Sequence, residues 1–182
     1  MDDMSKKISF GLSVQEIQNA IKEIKEYQNS LDGKCEELCR RLTAEGISIA
    51  QIHIGSSGFG KYIHLSSEIT PEKAGCKAIF YMEDSQKIVS KWQNQDGVQS
   101  KEISPALMLC FGSGLKAENP TGVPGVGAGS YGEHGLDPNG WWYMDLNGVW
   151  HHSTGIEPKM PMYNAAKELR NKVIEIAREV FK

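Results

Sequence analysis

The chain has 182 residues, of which 40% are hydrophobic and 24% are charged, and its formal net charge is −3. This length is typical of one domain, and the balance of apolar and charged residues excludes a wholly disordered chain. The negative charge argues against a nucleic-acid binder whose affinity rests on phosphate contacts. We therefore expect a single domain over residues 1–182 whose core needs neither disulfides nor a structural metal.

The distribution of apolar residues and cysteines bears on the cellular compartment. No run approaches the roughly 20 apolar residues of a membrane span, and the first ten residues lack the apolar stretch of a secretory signal. Four cysteines are too few for a disulfide scaffold, so we expect reduced thiols in a cytoplasm. Cys35 and Cys39, one helical turn apart, are expected to be packed thiols. Cys110 lies in an apolar run, where burial would keep the thiol protonated.

A long amphipathic helix is predicted near the start of the chain, after a flexible segment over residues 1–12. Ser13 and Glu16 have the spacing of a capping box, which predicts a helical region over 13–45. Asp32-Gly33 interrupts this region and predicts either a bend or two abutting helices, and Gly46 is expected to end it. Residues at alternating steps of four and three form one narrow stripe: Ile17, Ile21, Ile24, Gln28, Leu31, Cys35, Leu38 and Leu42. Such a stripe either faces a second subunit along part of its length or is buried within its own domain.

Residues 47–103 are expected to form a sheet and a hairpin. Alternation of Ala50, Ile52 and Ile54 predicts a first strand, and residues 62–69 predict a second that is stopped by Pro71. Residues 76–82 are apolar on both faces, which is typical of a central strand. Residues 86–92 fit a strand or a short helix, and we favour the strand because Asp96-Gly97 then forms the turn of a hairpin. That hairpin is polar, so we expect it to project from the core.

The rest of the sequence predicts a short helix, a long loop, a second hairpin and a final helix. Ser104-Pro105 is typical of a helix start, and the helix is expected to end at Phe111. Residues 112–140 are rich in glycine and proline, and loops of this length inside a domain are usually functional or disordered. Asn147-Gly148 between aromatic runs predicts an aromatic hairpin over 141–153. With a C-terminal helix over 162–182, the predicted fold class is α+β, with both long helices packed on an antiparallel sheet.

Motifs for catalysis are weak in this sequence. His134, His151 and His152, with Glu133 and Asp137 nearby, are the only cluster that resembles a zinc site, but adjacent strand residues point to opposite faces. The glycines between 125 and 129 are not followed by a helix, as a phosphate-binding loop requires. No nucleophile motif is present. From these motifs alone, no enzyme activity can be assigned to the chain.

Three of the four tryptophans fall in the predicted aromatic hairpin. Because side chains alternate across a strand, at least one of Trp141 and Trp142 should point away from whatever the other packs on. Tryptophan is enriched among the residues that anchor protein interfaces. Either this hairpin and the glycine-rich loop form a binding surface, or both faces of the hairpin are covered within the chain.

Several motifs in order resemble a family of small structural proteins of long-tailed bacteriophages. Phe111-Gly112-Ser113-Gly114 after a short apolar helix is similar to the Phe-Gly-Thr-Gly element of that family. The runs 140–143 and 149–151 are similar too, as is the stretch 154–166, which leads into the C-terminal helix. The family comprises tail components and head–tail joining (neck or tail-completion) proteins, and it includes the minor tail protein Z group of lambdoid phages.

The resemblance implies a structural virion protein with no catalytic residues, no cofactor and no enzyme activity, which forms a ring between the capsid portal and the tail tube. Such a protein is expected in the virion and in the host cytoplasm during assembly. The expected partners are further copies of the chain and phage neck, tail-terminator or tail-tube proteins, with no membrane and no sequence-specific nucleic acid, at most DNA passing through a channel. The candidate interface residues are Trp141, Trp142, Trp150, Phe111, Gly112 and Gly114. Two alternatives stay open: a metal-dependent hydrolase using His134, His151 and His152, and a non-phage cytoplasmic binding module with a closed apolar pocket.

Overall fold

A computed structural model describes residues 11, 13–55, 57–73, 75–118 and 138–182, without the side chain of residue 94. The described residues form three α-helices: α1 (Val14–Gly55), α2 (Pro105–Phe111) and α3 (Pro161–Val180). The strands among them are β1 (Ile63–Glu72), β2 (Gly75–Asp84), β3 (Ile88–Asn94), β4 (Gly97–Ile103), β5 (Trp141–Met144) and β6 (Trp150–Ser153). The fold is α+β with antiparallel strands, as predicted.

The strands form two separate sheets. β1 and β2 make a two-stranded hairpin, and the other strands form a four-stranded sheet in the order β4-β3-β5-β6. The prediction of a strand over residues 86–92 is confirmed in type, because β3 pairs with β4 from Ile88↔Ile103 to Asn94↔Gly97. The hairpin of β3 and β4 does not stand alone, however, since Gln93 also pairs with Met144 of β5.

The predicted end of the first helix at Gly46 is wrong, because α1 continues to Gly55. Gly46 is buried, and a Cβ there would lie 3.0 Å from the ring of Phe80, so this glycine admits the close approach of β2 rather than ending the helix. Thr43, Gly46, Ala50 and Ile54 are buried at helical spacing, whereas Ile52 is exposed. The predicted strand through Ala50, Ile52 and Ile54 is therefore also wrong.

Two further expectations about the strands need correction. Pro71 does not stop β1, because it pairs with Cys76 and the strand continues to Glu72. A proline is tolerated here because β1 lies at a sheet edge. β2 is not a central strand, since β1 is its only partner strand in the described residues; α1 packs against this two-stranded sheet.

The core lies where α1, α3 and the β1–β2 sheet meet. Ile49, Ala50 and Ala165 are buried there, with Phe80 and Met162 packed against them. Three pairs of oppositely charged or ionisable side chains connect the surfaces of α1 and α3: His53 with Glu168 at 3.1 Å, Arg41 with Glu179 at 3.4 Å, and Glu45 with Lys172. α1 passes through Asp32-Gly33 as one continuous helix, so two abutting helices are not formed.

Candidate assembly surface on the four-stranded sheet

The pairing of β5 with β6 determines which aromatic side chains share a face. Trp142 is opposite His152 and Met144 is opposite Trp150, so these four side chains lie on one face of the sheet. Trp141, Tyr143, His151 and Ser153 lie on the other. The expected split between Trp141 and Trp142 is therefore present.

Large apolar side chains are exposed on the first of these faces. Trp142 is 64% exposed and Trp150 is 61% exposed. Through the pairing of Met144 with Gln93 and of Gln93 with Val98, the exposed side chains of Val98 and Val89 lie on the same face. We call the set Trp142, Trp150, Val98 and Val89 the aromatic face.

The aromatic face is not covered by a helix in the described residues, since the long helices pack instead on each other and on the β1–β2 sheet. Large apolar side chains that are exposed on one face of a sheet are a feature of protein interaction sites. Val89 and Val98 were missed by sequence reasoning. Their position could have been inferred from the period of two in the predicted hairpin, but the pairing of β3 with β5 could not.

A carboxylate shapes the turn between β5 and β6. Asp145 accepts hydrogen bonds from the backbone N–H groups of Asn147 and Val149, each at 2.9 Å, and its other oxygen lies 3.1 Å from Nε2 of His151. The hydrogen bond from Val149, with further contributions from His151 and Asn147, lowers the pKa of Asp145. This network holds the two strands that carry Trp142 and Trp150 in one register.

The Phe111–Gly114 element lies inside the fold rather than on the aromatic face. Gly112 and Gly114 are buried and have φ values of +70° and +60°, and Phe111 is half-buried. A Cβ on Gly114 would lie 2.7 Å from the ring of Trp141, which packs directly over this glycine. Ser113 pairs through its backbone with Ile156, donating at 2.9 Å and accepting at 3.3 Å. These glycines thus hold the start of the aromatic hairpin against the segment after α2.

The histidines are separated in the way that strand geometry predicts. His151 faces Asp145, whereas Nε2 of His152 lies 2.7 Å from the backbone oxygen of Asn139 on the other face. His134, Glu133, Asp137 and the glycines between 125 and 129 lie outside the described residues. Within the part of the chain that is described, no group of three His, Cys, Asp or Glu side chains is close enough to hold a metal ion.

The four cysteines are free thiols. Burial raises the pKa of Cys110 to about 11, as expected for a thiol in an apolar helix. Burial, followed by the neighbouring Cys76 and Cys35, raises the pKa of Cys39 to about 11. Both thiols are therefore protonated at neutral pH, and neither is activated as a nucleophile.

A cleft of about 390 Å³ lies between the end of α1 and the segment after β6. It is open to solvent, and the ion pair of Lys116 with Glu157, at 3.1 Å, lies on its wall. The cleft therefore differs from the closed apolar pocket that a small-molecule binding module would present.

Comparisons with protein-family models, with curated proteins and with solved structures found no match to this chain. None of the described helices combines the length and the apolar character that crossing a membrane requires.

Proposed function

We propose that this chain is a structural virion protein of a long-tailed phage or prophage that acts in head–tail joining or tail completion. In this role it assembles into a ring and docks onto a neck, tail-terminator or tail-tube protein. The proposal joins the resemblance of residues 111–114 and 140–166 to the physical character of the aromatic face. Catalysis, a cofactor and a membrane have no part in it.

The observation that carries the proposal is the exposure of Trp142 and Trp150 on a sheet face that no described helix covers. Two exposed tryptophans on one face of a sheet are unfavourable for an isolated chain in water, and buried tryptophan is a frequent anchor of interfaces. A ring requires that one patch of each copy meets a different patch of the next. The aromatic face supplies one such patch.

The first test is to sequence the DNA on both sides of the gene. Neighbouring genes that encode portal, capsid and major tail proteins would support the proposal and name the docking partners. A metabolic or regulatory neighbourhood would contradict it.

The second test removes the aromatic face from the assembling particle. In a phage whose copy of the gene is deleted, the wild-type chain should restore joined particles in electron micrographs, whereas the double variant Trp142→Ser/Trp150→Ser should leave separate heads and tails. The matched control is Ile174→Ser, because this α3 side chain is as exposed as Trp142, at 64%, but lies elsewhere. Full assembly by a folded double variant would refute the role of the aromatic face.

A further inference from the structure

The N-terminal part of α1 carries exposed apolar side chains, although Ala20 within it is buried. Further along the helix, Nζ of Lys34 donates to the backbone oxygen of Lys182, just after α3, at 3.3 Å and lies over the ring of Phe181. Residues 14–31 precede this contact and span about 27 Å of helix. A helix of this length is marginal in water without packing.

One face of residues 14–31 carries an exposed apolar stripe. Val14, Ile17, Ile21 and Ile24 are each between 38% and 73% exposed. They are separated by steps of three, four and three residues, and the same alternation continues through Gln28 and Leu31. A strict repeat of 3.5 residues is the pattern by which identical helices wind around each other, with the apolar residues at positions a and d of a heptad.

We infer that residues 14–31 of α1 pair with the same segment of a second copy of this chain in a coiled coil. The apolar stripe forms the seam, with Val14, Ile21 and Gln28 at position a and Ile17, Ile24 and Leu31 at position d. A single polar residue at an a position, here Gln28, is a common device that sets the register of such a pair. The inference concerns a different surface from the aromatic face and does not rest on the proposed function.

The charges of the segment favour a partner with the same sequence. Glu16, Lys22, Glu23 and Glu26 fall at positions b, c and f, away from the seam, and Lys22 pairs with Glu26 at 3.9 Å on that outer side. At positions e and g, in-register parallel copies would set Tyr27 opposite Asp32, and Ala20, which is buried within its own chain, carries no charge. No like charges meet, so two copies can approach without repulsion.

The area of the stripe is also suited to self-pairing. The exposed parts of its four aliphatic side chains present roughly 400 Å² of apolar surface per copy, so two copies would bury about 800 Å² from these side chains alone. Specific interfaces begin at about 1,200 Å² in total. The stems of the flanking residues, such as Gln18 and Lys25, can supply the difference.

Sedimentation equilibrium of the full chain over about 1–100 µM tests the inference. The wild-type chain should have a mass at least twice that of the 20.2 kDa monomer. Ile21→Lys/Ile24→Lys places two charges in the seam and should raise the dissociation constant at least ~100-fold. The matched control Gln15→Lys/Asn19→Lys adds the same charge, one turn apart, on the outer side and should change the dissociation constant by less than ~3-fold.

Three results would overturn the coiled coil: a monomeric wild-type chain at the highest concentration, equal dissociation of the seam and control variants, or self-association that the seam variant leaves unchanged. Circular dichroism of both variants verifies that the rest of the fold is retained, as expected because Ile21 and Ile24 are exposed and lie outside the buried core. The variant Gln28→Ile should strengthen the association. Trp142→Ser/Trp150→Ser should leave it unchanged, so failure of this inference and failure of the proposed function give different results.

Discussion

Three glycine-to-alanine substitutions distinguish the cost of a packing clash at Gly112, in the Phe111–Gly114 element, from the cost of backbone strain alone. Gly112 has φ +70°, and its Cβ would lie 2.9 Å from Cδ of Pro158 and inside the contact distance of the backbone oxygen of Ile156. Gly148 has φ +80° with nothing within 4 Å, and Gly33 lies in α1 with nothing within 4 Å. The series therefore adds a side chain to a strained and crowded site, to a strained and open site, and to an unstrained, open helix.

The expected changes in the free energy of unfolding differ in sign and size. Gly33→Ala should stabilise the fold by about 0.5–1 kcal/mol, because alanine is the better helix former. Gly148→Ala should destabilise it by about 1–2 kcal/mol through the positive φ alone. Gly112→Ala adds a clash with backbone that cannot move without disturbing the pairing of Ser113 with Ile156, so its effect should reach about 3–5 kcal/mol.

Thermal and denaturant unfolding of the purified variants measure these differences. A change of 1 kcal/mol corresponds to about 2–4 °C in Tm for a chain of this size, so the three variants should be clearly resolved. A Gly112→Ala variant no less stable than Gly148→Ala would refute the packing argument. It would leave Gly112 as a residue required for something other than the fold.

The remaining predictions concern the aromatic hairpin and the thiols. Trp141→Ala should lower the free energy of unfolding by about 2–3 kcal/mol in denaturant unfolding, because this half-buried ring packs over Gly114. Trp142→Ala should change the free energy of unfolding by less than about 0.5 kcal/mol, because this side chain is exposed. The folded chain lowers the pKa of Asp145, so the stability that this carboxylate contributes to the hairpin is fully present above the usual carboxyl pKa of 3.8. That contribution is lost as the pH falls through the lowered pKa. An acid titration followed by tryptophan fluorescence should show the loss in the wild type but not in Asp145→Asn. Cys110 is half-buried and has a pKa of about 11, so it should react slowly with iodoacetamide at neutral pH in the native chain and faster after unfolding. Rapid modification in the native chain, located by peptide mass spectrometry, would contradict the raised pKa.

Local signals in the sequence predicted the hairpins and the short helix correctly. Ser104 caps α2 as expected, accepting from the backbone N–H of Leu107, and Asn147-Gly148 lies in the turn between β5 and β6. In these cases the residues that decide the structure are neighbours in the chain. Turn and cap chemistry therefore suffices to locate the elements.

Contacts between distant residues explain where the sequence misled. Gly46 resembles a helix end until the ring of Phe80, which lies 34 positions later in the chain, is known to pack against it. Ala50 and Ile54 alternate with polar residues as in a strand, but they are buried because α3 and β2 cover one side of α1. Likewise, only the pairing of Gln93 with Met144 brings Val89 and Val98 to the face that carries Trp142.

The buried glycines and the exposed tryptophans are two parts of one arrangement. Gly114 leaves room for the ring of Trp141, and the pairing of Ser113 with Ile156 holds the segment that follows β6. Because successive strand side chains point to opposite faces, seating Trp141 against Gly114 directs Trp142 to the outer face. The Phe111–Gly114 element can thus be essential for assembly without touching a partner, since it determines the orientation of the side chains that would make the contact.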